Sequence, residues 1–209
     1  MAHGAAGGLT MAAFLYRPLP GAVAADSLLP LIVKARSGEA EAFEGLMIAT
    51  EEQVLRLAGR LLGDRELARD AAQEVFLRVF KYLRGFRDGE DFRAWLYRIT
   101  VNVCRDAGRR ASRPGLRVSF EGREPEDGGT LGEASLLSRE RVDAVRRALG
   151  ALSPRERAAI VLRDLEGLTS EEASNILGSR PGTVRAQIAS ARAKLRERLA
   201  PFFERGVRT

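Results

Sequence analysis

One cysteine, Cys104, and one histidine, His3, are all that this 209-residue chain carries of the two residue types most used in nucleophilic and metal chemistry. That excludes a disulfide within the chain and a zinc cluster of the Cys/His kind. A Ser-His or Cys-His nucleophile would have to rest on His3, in an Ala/Gly-rich stretch with nothing to hold a fixed geometry. The phosphate-cradling patterns G-x-x-x-x-G-K-[ST] and G-x-G-x-x-G are missing as well, so no cofactor is expected. Nor does any apolar run approach the ~18 residues of a membrane span, and no membrane insertion is expected. Asp64, Glu66 and Asp70 do not share one helical face, which argues against a metal-dependent DNA-processing enzyme and leaves no metal site.

What the chain has in excess is positive charge. Lys and Arg total 34 against 28 Asp and Glu, a formal charge of +6, and such a balance favours a polyanionic partner. Near the N-terminus Ala22-Val23-Ala24 mimics a signal-peptidase site. The first basic residue, Arg17, however, follows the apolar run instead of preceding it, and Pro18 and Pro20 break what remains. Residues 1–26 are therefore expected to be a disordered extension, with Met11 available as an alternative start, and the lone thiol fits a cytoplasmic protein.

From residue 27 to 112 the apolar residues recur at helical spacing. Ser27 to Arg36 forms a short helix, Glu39 to Leu62 a longer one ended by Gly63, and Asp64 caps a third with the stripe Leu67, Ala71, Val75, Val79 and Leu83. A fourth helix, Asp91 to about Arg110, sets Phe92, Trp95, Leu96, Ile99 and Val103 on its core seam and places basic residues on its other faces. The pattern then collapses over 113–134, a Gly/Pro-rich stretch containing Glu121, Glu124, Glu126 and Asp127, which has the composition of a linker. Helical patterning resumes over 135–204, before a short tail at 205–209. The expected fold is all-α: two small helical domains joined by a flexible acidic linker.

In the second block Ser153-Pro154-Arg155-Glu156 and Thr169-Ser170-Glu171-Glu172 each have the form of a capping box, the first with proline at the opening helical position. The helix Ser170 to Leu177 is followed by Gly178 and then by a basic helix whose seam is Val184, Ile188 and Leu195. A short helix, a glycine turn and a longer basic helix make a helix-turn-helix. The second helix of that motif enters the major groove, which makes Arg180, Thr183, Arg185, Ala186, Gln187, Ser190 and Arg192 its candidate DNA contacts. Arginine can read guanine bidentately and glutamine can read adenine.

In order along the chain, DRELARDAAQEVFLRVFKYL, DFRAWLYRITVNVCRDAGRR and LSPRERAAIVLRDLEGLTSEEASNILGSRPGTVRAQIASARAKLRERL resemble the extracytoplasmic-function, or group-four, sigma factors of the sigma-70 superfamily, a likeness running from about residue 27 to 204. The resemblance implies a subunit that is not itself an enzyme but directs RNA polymerase to promoters. Its first domain would dock on the clamp helices of the largest polymerase subunit through Asp70, Gln73, Glu74 and Leu77, where the family's D-x-x-Q-E pattern stands here as DAAQEVFL. The same domain would melt the minus-ten element and hold the single strand. The candidates for that task are Arg84, Phe86, Arg87, Arg93, Tyr97, Arg98, Asn102, Arg105, Arg109 and Arg110, with Phe86 and Tyr97 as stacking surfaces and Trp95 kept for the core.

The second domain would read the duplex minus-thirty-five element and touch the flap of the second-largest subunit. The acidic linker would follow a path shaped for RNA, and an anti-sigma factor would hold the protein inactive. Gln187 and Ser190 stand where many relatives have basic residues, and Ala173 and Ser174 replace a larger apolar residue and alanine, so the promoter sequence stays open. The competing reading is a stand-alone helix-turn-helix regulator that binds duplex DNA as a dimer.

Overall fold

The computed structural model describes residues 25–87, 89–112 and 133–205, and within them all regular structure is helical. The extension before residue 25, the segment with Glu121, Glu124, Glu126 and Asp127, and the tail after Arg205 lie outside the described residues. Backbone contacts divide the chain into two compact units.

The first unit contains α1 (Ala25–Ser37), α2 (Ala40–Leu62), α3 (Arg65–Tyr82), a single 3-10 turn (Leu83–Gly85) and α4 (Phe92–Ala111). Its breaks are set by local chemistry. Gly63 ends α2 at φ 72°, a left-handed conformation that glycine enters without a Cβ penalty, and its N–H reaches back to the Gly59 carbonyl. Asp64 then accepts from the Leu67 N–H at 2.8 Å, and Asp91 accepts from those of Arg93 at 2.8 Å and Ala94 at 3.3 Å. Each aspartate satisfies donors that a helix start leaves unpaired, typically ~1 kcal/mol.

The core of this unit joins Leu28, Ile32, Leu46, Val54, Val75, Val79, Leu96 and Val103. The expected α3 stripe is buried at Ala71, Val75, Val79 and Leu83, while Leu67 is only half-buried and Ala68, Ala72 and Phe76 widen the face. On α4 the seam is turned from its expected position. Trp95 and Ile99 lie half-buried at its margin, and Tyr97, Thr100, Val101, Cys104 and Ala107 complete the buried arc.

The remaining described helices are α5 (Glu133–Gly150), α6 (Pro154–Ile160), one π-helical turn (Val161–Leu165), α7 (Ser170–Leu177) and α8 (Pro181–Arg205). Both capping boxes form. Ser153 Oγ accepts from the Glu156 N–H while Glu156 Oε2 accepts from that of Ser153, and Thr169 and Glu172 repeat the exchange. The π turn, closed by the Glu166 N–H on the Val161 carbonyl at 2.9 Å, had no counterpart in the periodicity. Buried here are Ala159, Ile160, Val161 and Leu162, Ala173 and Ile176 of α7, and Val184, Ile188, Ala191, Leu195 and Leu199 of α8. Among the described residues no helix is long and apolar enough to cross a membrane.

Candidate nucleic-acid interface

The turn between α7 and α8 is closed by the backbone. Gly178 sits at φ 61°, and the Ser179 N–H donates to the Ser174 carbonyl at 3.0 Å, the long bond of a Schellman ending. Ser174 fits beneath this turn because it is small; it is buried and gives its hydroxyl to the Glu171 carbonyl. The chain therefore leaves α7 sharply and starts α8 at Pro181, with the seam Val184, Ile188, Ala191 and Leu195 facing inward.

That seam leaves Arg180, Thr183, Arg185, Ala186, Ser190 and Arg192 exposed and Gln187 half-buried. Their surroundings differ. The side chains of Arg180 and Arg185 have no ion pair or hydrogen bond among the described residues, so both guanidinium groups are available to a ligand. Ser190, by contrast, donates to Glu156 Oε1 at 2.7 Å. One turn on, Lys194 Nζ meets both oxygens of the same carboxylate at 2.7 and 2.9 Å. Arg192 makes a two-pronged pair with Asp164, Nη2 to Oδ1 at 2.6 Å and Nε to Oδ2 at 2.9 Å.

The electrostatics follow that geometry. Lys194 first, then the Ser190 and Ser153 hydroxyls, hold the Glu156 carboxyl down at about 2. Asp164 in turn raises the Arg192 guanidinium above its usual value. Sequence reasoning found Glu156 as a cap but missed its link to α8, and it missed Asp164 and Lys194 altogether. These pairs span 28 to 38 residues, beyond any local pattern.

In the first unit α4 presents Arg98, Asn102, Arg105 and Arg109 on one exposed stripe, at spacings of four, three and four. Such a row matches a phosphate backbone followed along the helix, with Asn102 able to donate and accept at a base edge. Arg110, Arg84 and Arg87 are exposed nearby in the chain. Arg109 also bonds Asp106 at 2.6 Å, and chiefly through that bond the Asp106 carboxyl is held below the usual range.

Two expected stacking residues need correction. Phe86 is buried, its ring 5.5 Å from Phe92 and 5.3 Å from Trp95, because the loop after the 3-10 turn closes the open end of the core. Tyr97 is buried under Arg93, whose guanidinium lies 5.2 Å from the ring centre and bonds the Tyr97 hydroxyl at 3.2 Å. Neither ring is open to a base. Trp95, expected in the core, packs there against Phe86 and Phe92.

On α3, Asp70, Gln73 and Leu77 share an exposed face, and Glu74 beside them is bound to Arg78 at 2.7 Å. Leu77 is 66% exposed and Phe80 67%, the latter leaning on Phe43 edge-to-face at 5.0 Å. Apolar exposure of that size beside a carboxylate and an amide fits a helix-on-helix protein contact.

Residues 46–114 match the family model "Sigma-70 region 2", and residues 143–195 match "Sigma-70, region 4". The ECF RNA polymerase sigma-E factor of Escherichia coli strain K12 is 33% identical over 185 residues, covering 84% of this chain and 95% of that protein. The chain belongs to the extracytoplasmic-function sigma factors of the sigma-70 family. Also similar is the ECF RNA polymerase sigma factor SigE of Mycolicibacterium smegmatis, 38% identical over 150 residues, a match spanning 71% of this chain and 58% of that longer relative. Among solved structures, CnrH in complex with the cytosolic domain of CnrY aligns over 82% of this chain and 96% of its own, at TM-score 0.60 and 27% identity. As a member of this family the sigma factor directs transcription initiation at promoters and is not a stand-alone regulator.

Proposed function

We propose that the two units of this sigma factor divide promoter recognition between them. The first unit, over 27–112, seats the protein on core RNA polymerase and holds the melted minus-ten strand, and the second, over 135–204, reads the minus-thirty-five duplex. The observation that carries this reading is the pair of separate exposed basic surfaces: the stripe Arg98, Asn102, Arg105 and Arg109 on α4, and the free first turns of α8 at Arg180, Thr183 and Arg185. The first suits a flexible strand followed by its phosphates, the second a major groove.

The α3 face of Asp70, Gln73, Glu74 and Leu77 is the polymerase contact, on the clamp helices of the largest subunit, and the second unit meets the flap of the second-largest. Chemistry stays with the polymerase, so the chain needs no catalytic group, and its work on promoter DNA places it in the cytoplasm. An anti-sigma factor completes the partner set. Family membership supports this, and so does the solved complex of CnrH with the cytosolic domain of CnrY. Multi-round transcription with core polymerase on a genomic fragment library, with RNA 5′ ends sequenced, tests the whole. Protein-dependent starts sharing two upstream motifs are expected. Discrete duplex binding without new starts would sink it.

A further inference from the structure

Glu156 stands where α6 meets α8. It closes the capping box at Ser153, and the same carboxylate takes Ser190 from the third turn of the recognition helix and Lys194 from the fourth. Asp164, carried on the π turn, takes Arg192. Around the circumference of α8, Ser190 and Lys194 flank the buried seam on one side and Arg192 flanks it on the other. Rotating the helix about its axis in either direction therefore stretches one of the two acidic pairs. Glu156 is itself buried, and with the capping bond it has no slack to follow such a rotation.

We propose that Glu156 and Asp164 are positioning residues that clasp the recognition helix from both flanks, engage Ser190, Lys194 and Arg192 away from DNA, and leave base reading to Arg180, Thr183, Arg185 and the methyl of Ala186. The inference rests on α8 being the upstream-element helix. It separates the exposed basic residues of α8 into those that read and those that hold. It also accounts for the serine at position 190: a small hydroxyl reaches the Glu156 oxygen at 2.7 Å, where a long basic side chain would project past it.

The test uses holoenzyme, assembled from core polymerase and the full chain, on a duplex library randomised across the upstream element. Two quantities are read: base preference at each position, and the slope of log K against log[salt]. Glutamine at the third helical position still serves a capping box, so Glu156→Gln keeps the cap and removes the charge. Lys194, released, is free to meet a phosphate, and the salt slope is expected to steepen by about 0.9. Preference at all upstream positions is expected to fall together, on the order of tenfold for a misplaced reading helix.

Adding Lys194→Gln returns the slope to its starting value without restoring preference. Ser190→Ala and Arg192→Ala are expected to single out no base position. A loss confined to one base pair in either variant would place that side chain against a base and overturn the clasp. So would an unchanged slope in a Glu156→Gln protein of normal helix content. Should Glu156→Gln fail to fold, the Ser190 and Arg192 variants decide alone, by the same criterion. A starting protein without any upstream preference overturns the promoter reading as well, and is told apart because it appears before any substitution is made.

Discussion

Arg157 follows Glu156 in α6, and in the sequence nothing distinguishes it from the exposed Arg155 two positions earlier. It is nevertheless buried, and its guanidinium donates to the carbonyls of Leu149 and Gly150, each at 2.8 Å, and of Leu152 at 3.2 Å. These oxygens come at the end of α5 and just after it, where a helix leaves carbonyls without partners. Arg157→Ala strands them in a dry site, and the expected loss is about 3 kcal/mol, read as a lower urea midpoint of the second unit. Arg157→Lys is expected to recover less than half of it, since a single ammonium cannot reproduce the planar fork. Full recovery by lysine would reduce the interaction to simple charge.

Glu156 offers a second check at the same scale, through pH. Its folded carboxyl is held at about 2, against an ordinary value of 4.5, by Lys194, Ser190 and Ser153. A depressed carboxyl stabilises the fold above its unfolded value, and that contribution fades as pH falls from 4.5 through about 2. Urea midpoints of the second unit are expected to drop across this window and to drop less in Glu156→Gln. The side chains legible in advance were those acting within three residues, namely Asp64, Ser153 and Thr169 as caps. Glu156 with Lys194 and Arg157 with Leu149 were not, because tertiary packing brings them together. Phe86 and Tyr97 were misplaced for the same reason: an aromatic in a loop or on a polar helix shows its type but not its neighbours.

At the scale of elements, helical spacing foretold α2, α3, α4 and α7 to within a few residues. It did not foretell where α8 ends, at Arg205 beyond Pro201, or that a π turn follows α6. On α4 the spacing identified basic faces, and the structure gathers four of those positions into one row. The members of that row are not equivalent. Arg98 and Arg105 have no partner among the described residues, whereas Arg109 is tied to Asp106 at 2.6 Å. On a single-stranded oligonucleotide the slope of log K against log[salt] is expected to shrink by about 0.7 for Arg98→Ala and for Arg105→Ala, one phosphate contact each. Arg109→Ala is expected to shrink it less, because part of that charge is already balanced. Equal effects from all three would mean that Asp106 releases Arg109 on binding.

For the whole molecule the question is whether two units with two cores read two pieces of DNA as independent devices. The division was visible in the sequence as a collapse of helical patterning between two periodic blocks, and one family segment falls in each block, 46–114 and 143–195. Substitutions at well-separated sites add in free energy, so their fold-changes multiply, to within about 0.5 kcal/mol. Asn102→Ala, on the exposed stripe of α4, is expected to change preference in the downstream motif alone. Arg185→Ala, on the free turn of α8, is expected to change it at one upstream position alone, by about 1 to 3 kcal/mol. Start-site mapping with core polymerase reads both motifs in one experiment, and the double variant is expected to show the product of the two losses. A double loss far below that product would mean that one unit engages DNA only after the other has done so, and promoter choice would then be a single coupled step instead of two independent readings.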